Sequence, residues 1–324
     1  MSARARVYAA VAAAAVAAAG AAVGITLATR TPLPAVHKQP GAPPLSLDLG
    51  VRTDAEAGAL GQAVKLYDAG KRSAAGRIFA RYDSLEARVG AALASWPSRS
   101  RAQLEALARA HPRSALVQFN LGLARFWDGD DTGAALAFRA ARRAQPDTVY
   151  AVEADTLLHP KFFRGLPPFT PDFPPPAGLA KLPPAGQLAT LARRAAAGSV
   201  HDMLLYGVDL QGLGHPLSAE RWFARAAAAA PNDPEALTAA AVGLFDKSAP
   251  AKAFSRLGPL SKRFPKAATV RYHLGLLLVW MGEAAAAKTQ FAAAVRDAPA
   301  SVVGQAAHRF LVGLGKVGTK PVGK

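Results

Sequence analysis

The chain has 324 residues and no cysteine, which removes disulfides, thiolate metal sites and cysteine nucleophiles from consideration. Its formal charge is +17, yet the basic excess is diffuse, rising only toward a tail that holds Lys316, Lys320 and Lys324. No basic helix interleaves aromatic side chains for stacking on bases, so nucleic acid is not an expected partner; loose attraction to an anionic envelope polymer stays open.

Arg4 and Arg6 precede an uncharged, alanine-rich run over residues 7–29, long enough to cross a hydrocarbon core of about 30 Å. Positive charge on the short N-terminal side predicts that this end stays in the cytoplasm and that the repeats lie beyond the membrane. The segment, 1–29, reads as a retained transmembrane anchor because the run exceeds a typical signal core. A cleaved secretory signal, with Thr26 and Ala28 before the cut, is the rival reading. Residues 30–53 are proline-rich and favour extended polyproline conformations, the composition of a semi-rigid stalk.

Helical periodicity begins at Asp54 and runs to residue 159 in irregular units. Gly70 stands at a turn, with Ala75 and Phe79 as a small and a bulky residue after it. Helices over 85–95 and 101–110 are broken by Trp96 and Pro97 and closed by Pro112. Leu121, Gly122, Gly129, Ala134, Phe138, Ala141 and Pro146 then mark a clear unit. A helix over 148–158 looks like the first half of another unit, whose second half resumes only near 186–197. Residues 160–184, rich in proline and phenylalanine, read as an insertion that splits this repeat.

The regular array spans residues 185–312. Pro231, Pro265 and Pro299 are each 34 residues apart, a period that signals a helix-turn-helix repeat. Small residues recur at Gly207, Ala241 and Gly275 and at Ala219, Ala253 and Ala287; bulky ones recur at Phe223, Leu257 and Phe291, and turn residues at Gly214, Ser248 and Gly282. Two helices approach closest where side chains are smallest, the bulky column fills the space beside the crossing, and the proline cannot continue the second helix. A helix over 302–312 should close the last apolar face, leaving 313–324 as a basic, disordered tail.

These columns resemble the tetratricopeptide repeat family. The resemblance implies an all-α solenoid, a superhelix of helix pairs, here behind one N-terminal transmembrane or signal helix. It also implies a groove, lined by the first helix of each pair, that binds a protein or peptide. Carried onto this sequence, the groove positions are Phe119, Phe126 and Trp127, then Leu204 and Gln211, then Thr238 and Phe245, then Tyr272, Val279 and Trp280. Leu123, Val208, Val242 and Leu276 join them, some as packing between units. The set is largely apolar or aromatic, unlike the lysine- and asparagine-bearing grooves with which family members clamp acidic chaperone tails. Such a groove suits an amphipathic helix or a Pro/aromatic segment. The insertion offers one of its own, with anchors Phe162, Phe163, Phe169 and Phe173; it is expected either to fold over the groove as a lid or pseudo-ligand or to patch the convex side.

No catalytic, cofactor or metal site is expected. The histidines lack metal-ligand spacing, and most read as exposed or capping residues. The acidic run Asp128, Asp130 and Asp131 has Arg139 where a calcium loop needs glutamate, so it reads as a turn, with Asp131 or Thr132 capping the next helix. Lys316 lacks the residues of a phosphate loop. The sequence thus points to a non-catalytic scaffold at the outer face of the cytoplasmic membrane, or alternatively to an envelope-polymer-binding or enzyme-accessory protein using its basic C-terminal surface.

Overall fold

The computed structural model describes residues 39–317. All regular structure among them is helical, and the chain divides into two compact units, Pro32–Leu158 and a second that begins at His159. The run over 7–29 lies outside the described residues, among which no helix is long and apolar enough to cross a membrane.

The first unit contains α1 (Ala55–Asp68), α2 (Arg72–Phe79), α3 (Leu85–Ala94), α4 (Ser100–Ala110), α5 (Ala115–Trp127), α6 (Asp131–Ala144) and α7 (Val149–Leu158). Short polar side chains start several of them by accepting an orphan backbone N–H: Asp54 from Ala57, Ser84 from Ala87, Ser114 from Val117. The acidic turn after α5 works in the same way. Asp130, one residue earlier than expected, caps α6 through the Gly133 N–H at 2.8 Å. Arg101 reaches both Asp128 (3.2 Å) and Asp130 (3.1 Å), so these carboxylates are committed to a cation of the chain itself.

The second unit contains α8 (Pro184–Ala196), α9 (Val200–Gly212), α10 (Pro216–Ala229), α11 (Pro234–Gly243), α12 (Ala251–Arg263), α13 (Ala268–Trp280), α14 (Ala284–Asp297) and α15 (Val302–Val317). Each helix packs on its sequence neighbour from α8 to α15, and the first helices α9, α11, α13 and α15 also touch in succession. They form one continuous face. The periodic prolines act as stops: α10, α12 and α14 each end two residues before Pro231, Pro265 and Pro299. Gly214 and Gly282 turn the chain with φ of 77° and 81°, conformations that a side chain would disfavour. Ser248 stands in the same column but, having a Cβ, does not take that conformation. There α11 stops at Gly243 and an irregular link carries the buried Phe245.

The small and bulky columns meet as expected. Phe138, Phe223 and Phe291 lie against the bare Cα of Gly122, Gly207 and Gly275, so close that a Cβ at Gly122 or Gly275 would stand 2.5 or 2.7 Å from the ring. Leu257 is buried with Ala241 at the intervening pair.

Three expectations change. Residues 39–53 are not a free stalk, since they lie along the helices of the first unit with Pro43 and Leu45 buried. The insertion does not separate the halves of a single repeat: α7 packs on α5 and α6 and ends the first unit, whereas α8 packs on α9 in the second. Finally, α15 does not stop at 312. It runs through Gly313 to Val317, held because Leu314 is buried in the core; the rest of the tail lies outside the described residues.

Candidate functional site

In each unit the first-helix face is covered by an extended, proline-rich segment of the same chain. Extended chain leaves its backbone donors and acceptors unpaired, so a segment buried this way must find partners on the surface beneath it. Both do, and mainly through side chains that meet backbone atoms.

In the first unit the segment is 39–48. The Gln39 N–H donates to the Trp127 carbonyl (3.0 Å), Trp96 Nε1 donates to the Gly41 carbonyl (3.0 Å) and the Tyr67 hydroxyl to the Pro43 carbonyl (2.6 Å). Asn120, on α5, pairs with both sides of one residue: its Oδ1 accepts the Ser46 N–H at 3.1 Å and its Nδ2 donates to the Ser46 carbonyl at 2.9 Å. The Tyr150 hydroxyl accepts the Asp48 N–H at 2.7 Å. Burial pushes the Tyr67 phenol up to about 12 and raises that of Tyr150 as well, so both remain protonated.

In the second unit the segment is 161–173, and it lies on the first helices rather than on the opposite side. Phe169 is buried, its ring 5.4 Å from Phe223 and stacked on His273 at 4.9 Å. Phe163 packs on Trp280 at 5.6 Å, and Trp280 Nε1 donates to the Gly165 carbonyl at 3.4 Å. Phe173 lies 4.3 Å from His201, and Phe162 meets His159 edge-on at 6.1 Å.

The backbone of this segment gives three N–H groups to three helices. Phe169 N–H reaches Gln211 Oε1 on α9 (3.0 Å), Thr170 N–H reaches His273 Nε2 on α13 (2.9 Å), and Asp172 N–H reaches Glu235 Oε1 on α11 (2.6 Å). Pro171 between them has no N–H to satisfy. The Asp172 carboxylate then accepts the Val303 N–H at the start of α15, 3.1 Å away, where helix N–H groups lack intrahelical partners.

Two titratable groups under the segment depart from ordinary values. Burial pushes His273 down to about 4, against the favourable contact with Thr269. Its Nδ1 donates to the Thr269 carbonyl at 2.7 Å, leaving Nε2 as the acceptor that Thr170 uses. Burial pushes the Glu235 carboxyl up to about 7, opposed by the Asp172 N–H and the Thr269 hydroxyl and assisted by the nearby Asp172 and Asp233 carboxylates. Burial also raises the Tyr272 phenol, which is hydrogen-bonded to Thr170.

The positions expected to line the groove therefore separate. Gln211, Tyr272 and Trp280 bond the insertion, and Trp127 bonds residue 39 through its backbone. Leu204, Phe245 and Val279 are buried in the core that also takes in Phe163 and Phe169, and Thr238 is fully buried as well. Phe119 is buried against Phe138 and Tyr150, and Phe126 is 38% exposed. Asn120, Tyr67, Tyr150, His273 and Glu235 lie outside the positions that the sequence columns mark. Asn120 immediately follows the selected Phe119, and an uncapped polar residue inside an apolar helix is the signal that marks it.

Among the described residues no group of three or more His, Asp or Glu side chains is placed to hold a metal ion.

No family model matches the sequence, and no curated protein matches it. Among solved structures, yeast Tom70 aligns over 87% of this chain and 53% of its own length, at 12% identity and a TM-score of 0.36. A tetratricopeptide repeat protein from Parabacteroides merdae aligns over 80% of this chain and 98% of its own, at 12% identity and 0.34. The APC/C hetero-tetramer Cut9–Hcn1 aligns over 80% and 56%, at 14% identity and 0.27. The chain spans about half the length of Tom70.

Proposed function

We propose that the chain is a non-catalytic helical-repeat scaffold of the tetratricopeptide type that binds a protein partner by taking up extended segments on its first-helix faces. Residues 7–29 hold it at the outer face of the cytoplasmic membrane, or direct its secretion if they are cleaved. One observation carries the reading: both units already hold an extended segment through side chains aimed at its backbone, the mode by which a surface recognises peptide. The exposed Phe126 ring at the end of α5 leaves part of the first face open to a partner.

The test is a photo-crosslinking residue placed at Phe126, and separately at Leu136 on the outer helix α6, which is 56% exposed, in intact cells. A discrete adduct from position 126 that is absent from position 136 supports the reading; equal labelling at both sinks it. Membrane attachment is read separately, by whether the full chain pellets with membranes after alkaline extraction and a chain lacking residues 7–29 does not.

A further inference from the structure

The insertion shows what chemistry the second face selects. Three of its backbone N–H groups bond to three different helices, so they align in one register only. All three surface groups are acceptors: an amide oxygen, a neutral imidazole nitrogen and a carboxyl oxygen. The register skips one position, and there the occupant has proline, which has no N–H. Beyond it, the only side-chain carboxylate bonded in the segment meets the orphan N–H of Val303. Upstream, an aromatic ring six residues before Phe169 packs on Trp280.

We propose that this face is a recognition site for an internal peptide segment of one chemistry: two aromatic anchors six residues apart, the second followed by Thr-Pro-Asp. Residues 163–172 are its resident copy, and a partner carrying such a segment binds by displacing them. This rests on the scaffold reading and names the class of partner.

The site takes an interior stretch rather than a chain end. The resident segment enters and leaves with chain continuing on both sides, and acceptors on the helices are matched to N–H groups in its interior. The helix pairs keep packing of their own beneath it, since Phe223, Leu257 and Phe291 fill against Gly207, Ala241 and Gly275 within the repeats. A tethered occupant acts at an effective concentration of roughly millimolar, so the intact chain resists exchange and the vacated one does not.

The probe is a synthetic peptide with the sequence of residues 161–176, titrated against the full chain and against a full-length variant in which those residues are replaced by a Gly/Ser linker of equal length. The expected result is binding to the linker variant at least ~100-fold tighter than to the intact chain, with Phe169→Ala and Asp172→Ala peptides each at least tenfold weaker. A linker variant that keeps its helicity by circular dichroism but takes up no peptide overturns the proposal, as does binding of both altered peptides as tight as that of the unaltered one. Should the linker variant unfold, the decision passes to the full chain carrying Phe163→Ala and Phe169→Ala. Uptake of the fluorescent peptide by that chain supports the site, and failure to bind shows the segment to be core filler. The crosslinking at Phe126 in the other unit is independent, so a partner captured there with no peptide uptake here leaves the scaffold reading standing.

Discussion

Thr170 donates its backbone N–H to Nε2 of His273 across 2.9 Å, while Nδ1 of the same ring donates to the Thr269 carbonyl across 2.7 Å. Both ring nitrogens are committed, and only the neutral imidazole satisfies both contacts, since a protonated ring has no acceptor. A histidine dismissed in the sequence as exposed or capping is thus the floor on which the insertion lies.

That arrangement makes stability depend on pH in a defined direction. His273 sits at about 4 in the folded chain against an ordinary 6.5, so between these values the unfolded chain binds the proton more readily. Its contribution is fully present above about 6.5 and is lost as pH falls through about 4, on the order of 3 kcal/mol in all. His273→Gln keeps an acceptor without titrating. Urea midpoints measured from pH 7 to 4 should fall more steeply for the unaltered chain than for the variant; parallel curves would count against the buried neutral ring.

Glu235 has the opposite sign. Its folded value of about 7 lies above the ordinary 4.5, so its contribution is fully present below about 4.5 and is lost as pH rises through 7. Glu235→Gln, which still offers an oxygen to the Asp172 N–H, should therefore be more stable than the unaltered chain at pH 8, by up to about 3 kcal/mol. The two should converge near pH 4. Between about 4.5 and 6.5 the slopes from His273 and Glu235 oppose each other, so only the single variants reveal either one.

The repeat columns predict contrasting effects of the same substitution. At Gly275 an added Cβ would lie 2.7 Å from Cε1 of Phe291, whose ring is stacked on Phe310 at 4.9 Å and has little room to move. Gly275→Ala should cost about 1–3 kcal/mol by overpacking. Gly58, exposed inside α1, has nothing within 4 Å of where a Cβ would stand, and Gly58→Ala should stabilise by about 1 kcal/mol through helix propensity. Thermal unfolding of the two variants separates them, and the reverse order would remove the packing role assigned to the column.

These columns were legible because their contacts recur at a fixed short spacing: Gly207 and Phe223, like Gly275 and Phe291, are sixteen residues apart. The residues that hold the two extended segments were not. Asn120 meets Ser46 across 74 positions, His273 meets Thr170 across 103 and Glu235 meets Asp172 across 63, separations that no periodic signal encodes. The proline content over residues 39–49 marks chain without helix or strand, which the fold has there. Composition says nothing about where such chain will rest, and a stalk and a docked strip share it.

Asn120 gives the sharpest test of the first unit, because its carboxamide pairs with both the N–H and the carbonyl of Ser46 while Nδ2 also donates to the Leu116 carbonyl. It is fully buried, so removing it leaves two backbone groups of the strip unpaired, at roughly 1–3 kcal/mol each. Asn120→Leu keeps the bulk and discards the pairing. The helices should persist, since Phe119, Phe138 and Tyr150 still pack together, but residues 39–48 should lose protection. Limited proteolysis followed by mass spectrometry should show new cleavage within that segment while far-ultraviolet dichroism is unchanged. Cleavage that stays as slow as in the unaltered chain would mean that Tyr67, Trp96 and Tyr150 hold the strip without it.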